Sequence, residues 1–143
     1  MTRPESLLLD THVWIWTLEG STDRLRPQVV ERIEGAARDG ALYVHPLSIW
    51  EIGTLVRRDR LTLSGPVERW VEEALEVPGL SLVPLSGAAA LSAAKLPDSF
   101  PGDPVDRLLV ASAYHLGATL VTCDRQILDF EGTEVPERLN ACR

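Results

Sequence analysis

The sequence predicts an α/β fold built on a central, mainly parallel β-sheet. Short, wholly apolar runs such as Leu7-Leu8-Leu9 suit strands buried on both faces, the usual state of a parallel sheet covered by helices. Stretches with helical spacing separate each run from the next, and parallel neighbours need such crossovers. The order reads strand, two helices, strand, two helices, strand, two helices, strand, short helix. Residues 133–135 are a candidate for a closing edge strand.

Leu7-Leu8-Leu9 is the first strand, with Asp10 at its carboxyl end. Val13, Trp14, Ile15, Trp16 and Leu18 follow as a short helix that is apolar nearly all round, which suits a packed position. Between Pro27 and Arg38, Val29, Val30, Ile33, Ala36 and Ala37 recur at helical spacing, with Glu31, Arg32 and Glu34 outward. Residues 41–44 form the second strand, and His45-Pro46 ends it. Ser48 and Glu51 then stand in capping-box spacing at the start of another helix. Pro66 opens the next, whose Trp70, Val71, Ala74 and Leu75 make a stripe suited to the core or to a partner. Residues 80–83 are a strand ended by Pro84, Ser86 caps an alanine-rich helix to about Lys95, and the two prolines within residues 96–101 mark a loop. In Gly102-Asp103-Pro104-Val105-Asp106, Asp103 takes the N-cap, Pro104 the first helical position and Asp106 the third. The apolar helix they start runs to Gly117, a C-terminal stop. Residues 119–122 make the fourth strand, Asp124 lies just past it, and Arg125 opens a short helix.

Residues 1–143 are read as a single domain, large enough to bury a little under ~70% of the surface the unfolded chain exposes. With 14 basic and 21 acidic residues the net charge is −7, which argues against a protein that coats nucleic acid by charge alone. Two bound divalent cations would cancel four of those charges, and a local strip formed by Arg57, Arg58 and Arg60 would still suit a phosphate backbone, although a solvated helix end is the plainer reading. Cys123 and Cys142 show neither CxxC spacing nor a framework and read as reduced thiols of a cytoplasmic protein. No apolar run approaches the ~18 residues of a membrane span. The N-terminus lacks the basic-then-apolar pattern of a signal peptide, so a soluble, unexported protein is expected.

Ligands of parallel α/β sheets bind outside the carboxyl ends of the strands. Asp10 and Asp124 fall at two such ends, while Glu51 and Asp106 fall at the starts of helices leaving the same edge. All four can therefore converge, although each also has a helix-cap explanation. Clustered carboxylates repel one another at neutral pH unless protons or cations compensate them. Mg²⁺ and Mn²⁺ suit such oxygen donors, whereas zinc is disfavoured without a Cys or His cluster. A metal held this way lowers the pKa of water and polarises a phosphoryl oxygen, so phosphodiester hydrolysis is implied. His12, beside Asp10, reads as a ligand, an acid–base group or a plain structural histidine.

Four segments carry a resemblance: Leu-Leu-Asp10-Thr-His with its tryptophans, Ser48-Ile-Trp-Glu51-Ile, Asp103-Pro-Val-Asp106-Arg-Leu-Leu-Val-Ala, and Leu-Val-Thr122-Cys-Asp124. Together they resemble the successive motifs of PIN-domain ribonucleases, above all the VapC-like toxins of toxin–antitoxin pairs. The likeness spans about residues 7–135. It implies a PIN-like three-layer α/β/α sandwich and a metal-dependent endoribonuclease. Asp10, Glu51 and Asp106 match the family's metal-binding acids, and Asp124 matches its more variable fourth. Asp103 matches a second acid of the Asp-Pro-x-Asp version, kept here as cap and supporting group, and Val105 departs from the usual aromatic. Thr11, Ser48 and Thr122 match small hydroxyl residues that orient a carboxylate or a water. The likeness further implies an RNA substrate, a VapB-like antitoxin reaching the cleft with a helical tail, and a homodimer. Trp14, Trp16 and Trp50 offer the antitoxin apolar contacts, with core packing as their default role.

Two alternatives stand beside this reading. A haloacid-dehalogenase-type phosphatase also starts with a strand and Asp, but wants a second Asp where His12 stands. A catalytically silent PIN-fold binding module is opposed by the presence of all four acids.

Overall fold

Alternation along the first strand divides the molecule into layers. In the computed structural model, which describes residues 4–143, β1 (Leu7–Leu9) sends Leu7 and Leu9 into one apolar core and Leu8 into another. Burying each of these leucines stabilises the fold by about 2 kcal/mol. Along the chain follow α1 (Thr11–Leu18), a 3-10 turn (Thr22–Arg24), α2 (Pro27–Arg38), β2 (Leu42–Val44), α3 (Pro46–Arg57) and α4 (Val67–Leu75). Next come β3 (Leu80–Leu82), α5 (Gly87–Lys95), α6 (Pro104–Leu116), β4 (Thr119–Thr122), α7 (Arg125–Asp129) and β5 (Arg138–Asn140).

The strands lie in the order β3-β2-β1-β4-β5, and every neighbouring pair is parallel. Leu7 stands opposite Leu42 on one side and Thr119 on the other. Helices α1 to α4 cover the face that carries Leu7 and Leu9, supplying Trp14, Val29, Ile33, Ile52 and Trp70. Helices α6 and α7 cover the opposite face with Leu109, Val110 and Ile127, joined by Phe100 from the preceding loop. Helix α5 packs on α6 through Ala89 and Ala93 against Ala111, small side chains that let two helices approach closely. The result is the predicted three-layer α/β/α sandwich, with the sheet wholly parallel. Trp14 meets Trp70 edge-on at 5.3 Å between ring centroids, so the α4 stripe is core. Among the described residues no helix is long and apolar enough to cross a membrane.

Three local expectations are corrected. The closing strand is Arg138–Asn140, not residues 133–135, where Glu134 adopts a left-handed φ of 58° that breaks an extended run. Strand β5 lacks an apolar run because it is a half-exposed edge, held partly by the Arg138 guanidinium donating to the carbonyls of Ile127 and Phe130. Ser48 and Glu51 do not form a capping box, because α3 begins earlier. Pro46 takes the first helical position and His45 is the cap, its Nδ1 accepting from the Leu47 N–H at 3.1 Å. Finally, Cys123 and Cys142 are not free thiols but a disulfide, with Cα atoms 5.4 Å apart. Parallel pairing of Thr122 with Asn140 brings the two strand ends side by side, which sequence spacing cannot show.

Candidate functional site at the strand crossover point

The strand order turns back at β1: the chain proceeds outward through β2 and β3, then returns to β4 and β5 on the other side. In open parallel sheets the crevice at this reversal, outside the carboxyl ends of the two central strands, receives ligands. Asp10 follows β1 and Asp124 follows β4, so these acids flank the crevice.

Asp10 is fixed from three directions. Its N–H donates to the Val121 carbonyl at 2.9 Å, across to β4. Its Oδ1 accepts from the Thr11 N–H at 2.7 Å, capping α1, and its Oδ2 accepts from the Thr122 hydroxyl at 2.7 Å. The Thr122 oxygen in turn accepts from the Asp124 N–H at 3.1 Å, so one fully buried hydroxyl sets both acids. Asp124 Oδ1 caps α7 by accepting from Gln126 N–H at 2.8 Å.

Glu51 projects from the second turn of α3. The Thr11 hydroxyl donates to Ser48 Oγ at 2.9 Å in a buried contact that joins α1 to α3 one turn before Glu51. Because His45 Nδ1 accepts from Leu47, its Nε2 carries the proton and donates to Ser112 Oγ at 3.1 Å, joining α3 to α6. Burial holds the His45 imidazole below its usual range, in keeping with a neutral ring.

Asp106 lies in the first turn of α6, with Asp103 as the cap, whose Oδ1 accepts from the Val105 N–H at 2.8 Å and, more weakly, from that of Asp106 at 3.3 Å. Arg107 gives the acids no relief. Its guanidinium turns away to the carbonyls of Ala93, Leu96 and Pro97 and lies over the Phe100 ring, pinning the loop that leads into α6.

These acids ring one cavity of about 340 Å³, lined by Asp10, Glu51, Asp103, Asp106 and Asp124 together with His12, Val13, Trp16 and Cys123. Among the described residues no arginine or lysine lines it. A roomier hollow of about 610 Å³ lies between residues 98–102 and the chain around α7, but none of the five cleft acids reaches it. Desolvation, then the charges of Asp10, Asp103, Asp124 and Glu51, push the Asp106 carboxyl up to about 7. Burial also raises Asp10, against the Thr122 and Thr11 hydrogen bonds. Glu51 is raised by burial and by Asp10 and Asp103, with the nearby Thr11 hydroxyl and His12 opposing part of the rise.

The structure thus brings Asp10, Glu51, Asp103, Asp106 and Asp124 together, with Thr11, Ser48 and Thr122 buried behind them. Arg57, Arg58 and Arg60 do not line the cleft, but stand exposed where α3 ends. Among the described residues no three Asp, Glu, His or Cys side chains stand in ready-made metal-ligating geometry; the acids ring a space instead of closing on a point. The donor set still fits a hard divalent cation, since carboxylate oxygens dominate it and a cation relieves the repulsion that raises Asp106. The sequence shows Trp16 as an apolar helix residue and a candidate antitoxin contact, and the structure places it in the cleft lining. Its spacing of four from His12 was the available sign that both face one side of α1.

A model of the PIN domain matches residues 7–132. Ribonuclease VapC22 of Mycobacterium tuberculosis (strain ATCC 25618 / H37Rv) is 36% identical over 122 residues, covering 85% of this chain and 89% of that protein. Among solved structures, VapBC2 from Rickettsia felis bound to a promoter DNA fragment superposes with a TM-score of 0.70 at 14% identity, over 94% of this chain and 98% of that one. DNA-bound VapBC from Salmonella typhimurium gives 0.65 at 19% identity, over 95% and 98%. At those identities the two structures establish the fold. The family match and the 36% identical relative go further, and the chain belongs to the PIN-domain family, among its VapC-like members.

Proposed function

We propose that this protein is a metal-dependent endoribonuclease, the toxin of a toxin–antitoxin pair, and that it hydrolyses RNA phosphodiester bonds in the cleft between β1 and β4. The observation that carries this is the ring of five carboxylates around one cavity at the crossover point, with Asp106 raised to about 7 by burial and by its neighbours' charge. The likeness to a protein named as a ribonuclease supports the choice of RNA.

In this reading Asp10, Glu51 and Asp106 hold Mg²⁺ or Mn²⁺, with Asp124 serving a second ion. Bound there, the metal supplies the charge that acidifies a water and stabilises the phosphoryl oxygens during in-line attack. The chain's own contribution is orientation. Thr122 holds Asp10 Oδ2 in one direction, and the Thr11–Ser48 bond keeps α1 and α3 in register so that Glu51 faces the cleft. Asp103 commits Oδ1 to the α6 cap and acts on the cleft through its charge. Arg57, Arg58 and Arg60 meet the RNA backbone beyond the cleft. A VapB-like antitoxin is the partner, in line with the VapBC assemblies whose toxin fold this chain shares. Of the three tryptophans considered for that contact Trp14 is core, whereas Trp50, 62% exposed on α3, is an available anchor. We further place the protein in the cytoplasm as a homodimer.

The test is cleavage of a mixed RNA pool by the wild type and Asp106→Asn, each with Mg²⁺, Mn²⁺ or EDTA. Metal-dependent cutting by the wild type alone is expected. Cutting in EDTA, or equal cutting by the variant, overturns the site assignment.

A further inference from the structure

One wall of the cleft is unlike the rest. His12 and Trp16 both line the cavity, one helical turn apart on α1, with ring centroids 5.8 Å apart. Beyond them, Arg24 of the 3-10 turn sets its guanidinium carbon 5.2 Å from the centre of the Trp16 ring. His12 and Arg24 are exposed and Trp16 is half-buried. Among the described residues Arg24 pairs with no carboxylate, so this guanidinium is held by an aromatic face and keeps its donors available.

The backbone beneath Arg24 is fixed by the C-terminal segment. The Arg24 carbonyl accepts from the Arg143 N–H at 3.3 Å, and Leu25, fully buried, bridges Cys142 in antiparallel fashion. The Arg26 N–H donates to the Ala141 carbonyl at 2.8 Å, and its Nε donates to the Cys142 carbonyl at 2.9 Å. Cys142 is itself bonded to Cys123, which lines the cleft. A cation is therefore held on a rigid base beside a cavity whose lining holds five acids.

We infer that Arg24, stacked on Trp16 just outside the cleft lining, is the substrate grip: Arg24 contacts an RNA phosphate flanking the one cleaved, and the Trp16 ring positions the Arg24 guanidinium for it. This rests on the ribonuclease reading of the same cleft. It adds to the Arg57, Arg58 and Arg60 strip a contact at the cleft itself, where a −7 protein engages a polyanion, because an acidic floor repels the backbone and needs a cation at its rim. An arginine presents a planar fork suited to phosphate, and an aromatic face limits the orientations it must give up on binding.

The test uses the full chain carrying Asp106→Asn, so that RNA is not consumed, with Mg²⁺ present. Anisotropy of a fluorescent single-stranded RNA is followed between 50 and 300 mM salt, alone and with Arg24→Gln, Trp16→Ala, Trp16→Phe or the Arg24→Gln/Trp16→Ala pair added. Arg24→Gln is expected to weaken binding about fivefold to tenfold and to reduce the salt slope by about 0.7, the value of one single-strand phosphate contact. Trp16→Ala should reproduce much of that loss, Trp16→Phe should retain most of the affinity, and the double variant should lose little beyond Arg24→Gln because the two side chains act as a unit. Unchanged affinity and slope in Arg24→Gln overturn the inference, as does full additivity of the pair. Metal-dependent cleavage by the otherwise wild-type protein is measured in parallel. If it persists while Arg24→Gln changes nothing, the grip alone fails; if neither cleavage nor RNA binding occurs, the ribonuclease reading fails and the grip with it.

Discussion

Replacing Asp106 by Asn should make the metal-free protein more stable, and the gain should depend on pH. The carboxyl titrates near 7 instead of 3.8, so the folded chain binds its proton more tightly than the unfolded chain does. Stability from this group is therefore complete below about 4 and is lost as pH rises through 7. A rise of about three pKa units corresponds to at most about 4 kcal/mol. Asp106 is only partly buried, and screening by water and salt reduces this to about 2 kcal/mol. Asn has nearly the same shape, removes the charge and leaves the Asp103 cap in place. Urea unfolding in EDTA should then show the variant's midpoint about 1 M higher at pH 8, with about a third of that gain at pH 5. Saturating Mg²⁺ should invert the order, since ligand at a hundred times its dissociation constant adds about 2.7 kcal/mol to the wild type and much less to the variant. If Asp106→Asn were less stable than wild type in EDTA at pH 8, or gained equally at both pH values, the repulsion argument would be wrong.

Other perturbations separate the remaining parts. Cys142→Ser should lower stability by about 3 kcal/mol in oxidising buffer, the loop-closure value for a cross-link spanning 19 residues, and should match wild type once both are reduced. Thermal melts with and without dithiothreitol decide this, and equal melting without reductant would show that the tail does not depend on the bond. His45 has the opposite sign to Asp106: burial lowers it from 6.5, so its contribution is complete above 6.5 and is lost as pH falls toward its folded value. His45→Asn keeps a cap acceptor for Leu47, loses the Ser112 bond at a cost of about 1 kcal/mol, and should flatten the decline that sets in as pH falls below 6.5. An unchanged pH profile would mean another group governs that limb.

What was legible in the sequence followed from short-range rules. Leu7-Leu8-Leu9 announces a strand buried on both faces because a parallel sheet needs apolar residues at every position. Asp103-Pro104 announces a helix start because cap chemistry and proline's fixed φ act within three residues. The four strand-edge acids were legible because alternating strands and helices place them at equivalent points of one sheet edge. What escaped depends on register between distant strands. The Thr122–Asp10 bond and the Cys123–Cys142 disulfide both need β4 aligned on its neighbours, across separations of 112 and 19 residues. The Arg24–Trp16 stacking needs the 3-10 turn to fold back on α1, and Arg107's turn away from Asp106 depends on carbonyls supplied by the preceding loop. His45 escaped because His45-Pro46 can end a strand and begin a helix in the same two residues.

Asp10, Asp103 and Asp124 are helix caps and cleft acids at once, and the two roles do not exclude each other. A carboxylate offers about four acceptor positions on two oxygens. Asp124 spends Oδ1 on the α7 cap, which fixes its rotamer and leaves Oδ2 for another partner. Capping is then a means of positioning, and the two roles can be separated at this residue. Asn is as good an N-cap as Asp, so Asp124→Asn should leave stability within a few tenths of a kcal/mol of wild type, whereas Asp124→Ala should cost about 1 kcal/mol. If the charge of Asp124 serves the cleft, both variants should cut RNA more slowly by a similar factor despite their different melting temperatures. If Asp124→Asn cuts at the wild-type rate and only Asp124→Ala is slow, Asp124 acts as a cap alone. The cation would then be held by Asp10, Glu51 and Asp106, without a fourth acid.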